Sequence, residues 1–272
     1  MNPRLCLNTA SIKGAPLGRQ IALAHAAGFD GIGLWVDDID AAVRQGSSTE
    51  EIAELVRGAG LAVEELCFLG GWQDCGEMAF PPVLAEAERI SRVAQSLGCG
   101  ILVAVPSMRR GAAQDAPRRF REICAAAAVH GVRVALEFVG TAEELKDLRA
   151  AWRLVDASGS ANGGLLLDTF HFFLGGSTPE DLEAIPGERV FLVHVSDAMA
   201  VPREKLSTFH DYRTFPGDGT IDFAPVLDGL ERMGYRGAVS LEIWNQELLR
   251  CDPDYVARRG IQSLRALFPS HP

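Results

Sequence analysis

Eight short apolar runs, separated by stretches of helical periodicity, are the strongest constraint on what this chain can fold into. The strand-like runs are Leu5–Thr9, Gly31–Trp35, Ala62–Phe68, Ile101–Val105, Val132–Phe138, Gly164–Asp168, Val190–Val195 and Ala238–Ile243. Helical patterns lie between or after them at Leu17–Ala27, Thr49–Gly58, Ala85–Leu97, Ala116–His130, Ala142–Ala157, Pro179–Ile185, Phe223–Met233 and Asp254–Leu267. Parallel strands need such crossovers, and eight βα units close a barrel of about 250 residues. The expectation is an α/β fold, a (β/α)8 TIM barrel, as one domain over residues 1–272. Turn chemistry agrees: glycines end the helices in AAGFDG, LGCG, VHGV and MGYRG, and Ser48 or Thr49 can cap the second helix. Thr141 and Glu144 are expected to form a capping box. A doubly wound open sheet is the alternative, but the first strand runs into NTASIKGAPLG, which is neither GxGxxG nor a P-loop. Gly31-Ile32-Gly33 lies inside a strand pattern and is a weak signal.

Four of the later runs carry one polar residue near the C-terminal end: Glu137 in VALEF, Asp168 in LLLD, His194 in FLVHV and Glu242 in VSLEI. Burying such groups among Val, Leu and Ile costs several kcal/mol unless something compensates. A single one could be a satisfied core group. Three acids and an imidazole at the same end of four strands form an oxygen and nitrogen donor set suited to a divalent cation. Strand parity sharpens this. Successive side chains point to opposite faces, so Ala135, Leu166, Leu192 and Ser240 share the polar residues' face, while Leu136, Leu167, Val193 and Leu241 take the other.

Composition narrows the function classes. The net charge of −10 argues against a phosphate-gripping surface, so no nucleic-acid partner is expected. Six cysteines are scattered with no CxxC pair, against a zinc ribbon and consistent with a reducing, cytoplasmic setting. The N-terminus lacks the apolar core of a signal peptide, and no run approaches the ~20 apolar residues of a membrane span. In a barrel the chemistry sits at the C-terminal mouth. Besides the quartet, Asn8, Trp35 and Phe68 fall there as substrate-contact candidates. Two long loops, Leu69–Pro82 and Ser196–Thr220, are candidate lids. His25, His130 and His271 carry no functional signal, and His210 reads as an ordinary loop residue.

The segments LEFVG, LDTFH, HVSDA, RTFPGDGTIDF and SLEIWN resemble those of xylose-isomerase-like TIM barrels of the sugar phosphate isomerase/epimerase group. Inosose isomerases and dehydratases and ketose 3-epimerases are the most similar members. The resemblance implies that Glu137, Asp168, His194 and Glu242 hold one divalent metal ion (Mn, Mg, Co or Zn). It implies that His171 and Arg213 bind substrate, and that Glu137 and Glu242 are catalytic and move protons. Asp197 matches the acidic residue that often follows the histidine ligand in this group, or is an ordinary capping residue.

The expected activity is metal-dependent isomerisation or epimerisation of a small polyhydroxy ketone or aldehyde. Dehydration on the same scaffold, as by inosose or 3-dehydroshikimate dehydratases, is the first alternative. A non-catalytic sugar-binding barrel is a further one. Apurinic-site nucleases share the fold but use more histidines than this chain offers at its strand ends. The partner is a carbohydrate-like small molecule, and homo-oligomers are common among similar proteins.

Overall fold

The computed structural model describes residues 1–109, 113–207 and 211–269, so Arg110, His210 and His271 lie outside the described residues. Eight parallel strands close into a barrel: β1 (Arg4–Asn8), β2 (Gly31–Trp35), β3 (Ala62–Leu69), β4 (Ile101–Ala104), β5 (Arg133–Glu137), β6 (Gly163–Asp168), β7 (Val190–Val195) and β10 (Ala238–Leu241). Each pairs with its neighbour in chain order, and β10 pairs back onto β1. Between β7 and β10, a two-stranded antiparallel ribbon forms from β8 (Asp197–Ala198) and β9 (Arg213–Thr214). Strands covered on both faces read as continuous apolar runs, which is why these strands were visible as blocks rather than as alternation. Cys6, Ile101, Val103, Ala135, Leu166 and Leu192 fill the barrel interior. The alternate residues, such as Leu102, Leu136, Leu167 and Val193, join the larger core under the helices. Each fully buried Leu or Val contributes about 1.5–3 kcal/mol relative to exposure.

The surrounding helices are α1 (Leu17–Ala27), α2 (Val36–Arg44), α3 (Thr49–Gly58), α4 (Phe80–Leu97), α5 (Ala116–Ala128), α6 (Leu148–Ser158), α7 (Thr169–Gly175), α8 (Pro179–Glu183), α9 (Ala224–Arg232) and α10 (Pro253–Leu267). Ser48 caps α3 through a capping box with Glu51. Gly28 and Gly98, with φ of 86° and 69°, end α1 and α4 in the left-handed region that glycine adopts without strain. The expected box at Thr141 does not form. Helix α6 starts later, capped by Asp147, which accepts from Ala150 N–H at 2.8 Å. Glu144 instead accepts from Gln73 Nε2 at 2.9 Å, a tertiary contact that the local pattern could not contain.

Neither α2 nor α7 is evident in the sequence. α2 buries only Ile39, so its apolar face is too narrow to register. α7 follows β6 without a loop and is apolar nearly all round, so no period stands out. Among the described residues, no helix is long and apolar enough to cross a membrane.

The loop after β3 is pinned. Trp72 is fully buried and donates to the Val105 carbonyl at 2.7 Å. Arg119 donates to the carbonyls of Trp72 and Gln73 at 3.3 and 3.1 Å. In the loop after β7, Asp197 accepts from the backbone N–H groups of Gly217, Gly219 and Ile221 at 2.9–3.0 Å. It thereby fastens the PGDG turn against the ribbon, the capping alternative for this residue. A Cβ at position 219 would lie 2.4 Å from Asp197 Oδ1, so that glycine is a matter of space.

Candidate metal centre at the barrel mouth

Strand register assembles the centre. Asp168 at the end of β6 pairs with His194 on β7, and His194 pairs with Ser240 on β10. Glu137 closes β5. Glu242 lies just past β10, its N–H bonded to the Val195 carbonyl at 3.2 Å. Because all four share the inward parity, one ligand atom from each falls within 4.8 Å of the others. His194 and Asp168 are fully buried, and Glu137 and Glu242 are 7% and 8% exposed.

The electrostatics of this cluster fit a cation. His194 Nδ1 is buried without a well-formed hydrogen bond; it stands 3.4 Å from Glu242 Oε2 and 3.9 Å from Glu137 Oε1. Its other nitrogen, Nε2, lies 2.6 Å from Glu65 Oε2, so the ring is anchored on one side and presents Nδ1 to the acids on the other. Burial, and then the Glu242 charge, push the Glu137 carboxyl well above its ordinary range. Burial also opposes ionisation of Glu242, but His194 and Arg213 outweigh it and lower that carboxyl. Burial works against a charged His194 too, yet Glu65 and Glu242 raise its pKa well above the usual imidazole value. Carboxylates converging on an imidazole nitrogen that has no well-formed hydrogen bond make a charge cluster that a divalent ion would neutralise, displacing the protons it holds.

Arg213 closes one side of the site. It is buried beneath β9 and stacks over Phe170, its guanidinium carbon 4.7 Å from the ring centroid. Nη1 donates to Asp168 Oδ2 at 2.7 Å and to Ser196 Oγ at 2.8 Å, while Nη2 lies 3.0 Å from His171 Nε2. Burial would raise the Asp168 carboxyl, but Arg213 and the nearby histidines bring it down to about 2. Burial lowers the His171 imidazole to about 4, so that ring is neutral at physiological pH. Gly140 N–H also approaches its Nδ1, at 3.3 Å. A neutral imidazole has one acceptor nitrogen, so the two donors compete for it and the shorter Arg213 contact prevails.

Above the cluster is a cavity of about 300 Å³ lined by Trp35, Phe68, Val105, Trp244, Arg213 and His171, with Glu137 and Glu242 at its floor. Trp35 packs against Trp244 at 4.8 Å between ring centroids and edge-on to Phe68 at 5.4 Å. A family model described as xylose isomerase-like TIM barrel matches residues 21–267.

The chain belongs to that family.

Among curated relatives, inosose isomerase of Bacillus velezensis is 25% identical, the match covering 97% of this chain and 96% of the relative. The 3-dehydroshikimate dehydratase of Pseudomonas aeruginosa is 28% identical over 94% of this chain, which spans only 40% of that longer protein. Among solved structures, the IolI protein with a zinc atom superposes with a TM-score of 0.91 at 24% identity, covering 98% of both chains. A D-allulose 3-epimerase from Methylomonas in complex with D-allulose superposes at 0.78 with 18% identity, covering 97% of both. The curated relatives on this barrel are isomerases and dehydratases.

Within this xylose isomerase-like barrel, Glu137, Asp168, His194, Glu242, His171, Arg213, Trp35 and Phe68 all meet at one cavity or its floor. Asn8 does not line it. Its side chain bonds Glu65, Cys67, Ala10 and Trp35 behind the wall, so it acts on the cavity through the lining residues Trp35 and Cys67. Sequence reasoning missed Trp244 and, more importantly, Glu65. In VEELC the neighbouring Glu64 faces outward to Arg4, with contacts of 2.6 and 2.9 Å, and the pair of acids reads as a solvated edge. No local signal marks Glu65; its counterpart is Gly33 on the neighbouring strand, where a Cβ would lie 2.2 Å from Glu65 Oε1. The glycines in β2 make room for side chains from β3 and are not a nucleotide loop.

Proposed function

We propose that this chain is a divalent-metal-dependent isomerase or epimerase acting on a small polyhydroxy ketone or aldehyde. The observation that carries this reading is the pair Glu137 and Glu242, two carboxyls that line a largely apolar cavity beside Arg213 and His171, with His194 Nδ1 facing both. Glu137, Asp168, His194 and Glu242 would hold the ion, which when bound supplies Lewis acidity at the substrate carbonyl.

The chain's own groups do the rest. One of Glu137 and Glu242 takes the proton from the carbon next to the carbonyl, and the other delivers a proton to the opposite face or to the adjacent carbon. Their placement at the ends of two different strands, on β5 and just past β10, lets them approach a bound substrate from different sides. Arg213 fixes Asp168 and His171 in place, and His171 and Arg213 form a polar patch on the cavity wall for substrate hydroxyls. Trp35, Phe68 and Trp244 exclude water and pack against the apolar face of a sugar or cyclitol ring. The similarity to inosose isomerases over the full length of both chains supports a cyclitol or sugar ketone.

Dehydration is the second reading, favoured by the similarity to 3-dehydroshikimate dehydratases. It begins with the same proton abstraction and ends with loss of a hydroxide assisted by an acid. One experiment separates the two. The metal-supplemented protein is incubated in D2O with inososes, ketoses and 3-dehydroshikimate, and products are followed by NMR and ultraviolet absorbance. Deuterium next to the carbonyl with a new stereoisomer supports the isomerase, and a rising enone absorbance supports the lyase. Neither signal with any of these substrates would sink both. Glu137→Gln is expected to lower turnover by about 10²–10⁴-fold, the usual worth of a general acid–base.

A further inference from the structure

Glu65 is fully buried on β3, and every group that reaches its carboxylate is a donor or must become one. Oε1 accepts from Asn8 Nδ2 at 3.1 Å and from Ser240 Oγ at 2.9 Å. Oε2 accepts from the Cys67 thiol at 3.5 Å and faces His194 Nε2 at 2.6 Å. Asn8 cannot reverse its amide, because its Oδ1 already accepts from Ala10 N–H at 3.0 Å and from Trp35 Nε1–H at 2.8 Å. A carboxylate can only accept, so His194 must carry its proton on Nε2. Nδ1 then faces Glu137 and Glu242, and its lone pair becomes available to a metal once any proton on it has left. Nothing in the proton-transfer scheme uses Glu65, yet no other acid is buried so completely on the inner face of β3.

We propose that Glu65 is the positioning residue of the metal centre: it fixes the tautomer and ring orientation of His194 so that Nδ1 is offered as a ligand. The proposal rests on the metal reading of the Glu137, Asp168, His194 and Glu242 cluster. It also ties that centre to the substrate wall, since Trp35, Asn8, Glu65 and His194 form one continuous chain of hydrogen bonds. Glu65, Cys67 and His194 could themselves be read as a second ion site. The 2.6 Å separation of Oε2 and Nε2 is that of a charge-assisted hydrogen bond and leaves no room for an ion between them.

The variant to make is Glu65→Gln. Its shape is nearly unchanged, but its amide must turn an NH2 group either toward His194 Nε2–H or toward Asn8 and Ser240, so one donor always meets a donor. Zinc chloride alone is titrated into the metal-free wild type and variant against a competing chelator, and the zinc-loaded forms are examined by proton NMR. The wild type is expected to bind one zinc per chain and to show a downfield, slowly exchanging His194 Nε2–H resonance. The variant is expected to bind zinc 10–100-fold more weakly and to lose that resonance, while its circular dichroism is retained. A wild type that binds no zinc overturns the metal reading itself. One zinc in both proteins with equal affinity and the resonance intact leaves that reading standing and overturns the role of Glu65. Two zinc ions per wild-type chain would also overturn it, because Nε2 would then be a ligand. If the variant does not fold, the wild-type spectrum alone decides: no Nε2–H signal in the zinc-loaded protein sinks the proposal.

Discussion

Arg213 and Asp168 form an ion pair, 2.7 Å from Nη1 to Oδ2, with both side chains buried at the rim of the candidate centre. The same guanidinium reaches Ser196 Oγ and His171 Nε2, so three partners depend on one planar fork. Replacing it by Met leaves Asp168 charged and without its main counter-ion. Removal of one member of a buried pair typically costs about 3–5 kcal/mol, and a loss of this size is expected in chemical denaturation of Arg213→Met. Arg213→Lys keeps the charge but not the fork. It is expected to lose less stability than the Met variant while its turnover falls at least 10-fold, because a point charge cannot hold Asp168 and His171 together. Equal stability of wild type and Arg213→Met would show that the pair contributes nothing.

Gly33 and Glu65 make a matched pair across β2 and β3. A methyl group at position 33 would sit 2.2 Å from Glu65 Oε1 and 2.8 Å from its Cγ, inside contact distance. Gly33→Ala must therefore displace the Glu65 carboxylate or push the strands apart. Weaker metal binding is expected, along with a destabilisation of about 1–3 kcal/mol, the usual range for overpacking a core. Metal titration and thermal unfolding of the same protein check both. Unchanged metal affinity would mean that the carboxylate finds a second position of equal value.

How much of this was legible beforehand follows from what each signal depends on. The barrel was readable because buried parallel strands are apolar blocks and crossover helices have their own period. The quartet was readable because Glu137, Asp168, His194 and Glu242 each interrupt such a block at the same end, and period-two parity alone puts them on one face. Glu65 was hidden because its meaning lies in Gly33, Asn8 and Ser240, three residues on other strands whose proximity only the closed sheet creates. Glu144 was misassigned for the converse reason: TAEE is a sound local capping signal, overridden by a long-range bond to Gln73. Asn8 was placed at the right end of the right strand, but its hydrogen bonds turn it behind the wall.

Metal removal gives a test independent of substrate. An ion that binds the folded protein and not the unfolded chain stabilises it by about 2.7 kcal/mol at 100 times its dissociation constant. Chelator-treated protein is expected to melt several degrees lower than protein with added zinc or manganese. The ligands bind only when deprotonated, so each proton they hold must leave on loading. The sign is therefore fixed: the metal-induced rise in Tm should shrink as pH falls from 8 to 5. A rise that grows on acidification, or no rise with any divalent ion, would contradict the assignment.

Thiol chemistry probes the barrel interior from another direction. Burial pushes the Cys99 and Cys124 thiols up to about 12, and those of Cys6 and Cys67 well above their ordinary value. The thiolate is the reactive form, so at pH 8 these four groups are almost entirely unreactive thiols in the folded protein. Cys251 is exposed and Cys75 half-buried. Native labelling with a disulfide reagent is thus expected to modify Cys251 quickly and Cys75 more slowly, with the remaining four released only on denaturation. Raising the pH to 9 should leave that count unchanged, since the buried groups titrate far above it. Cys67 adds a further readout, because it lines the cavity and lies beside Glu65. If it is labelled in the native protein, and a bound substrate or metal slows that labelling, the cavity opens more widely than its walls of Trp35, Phe68 and Trp244 allow.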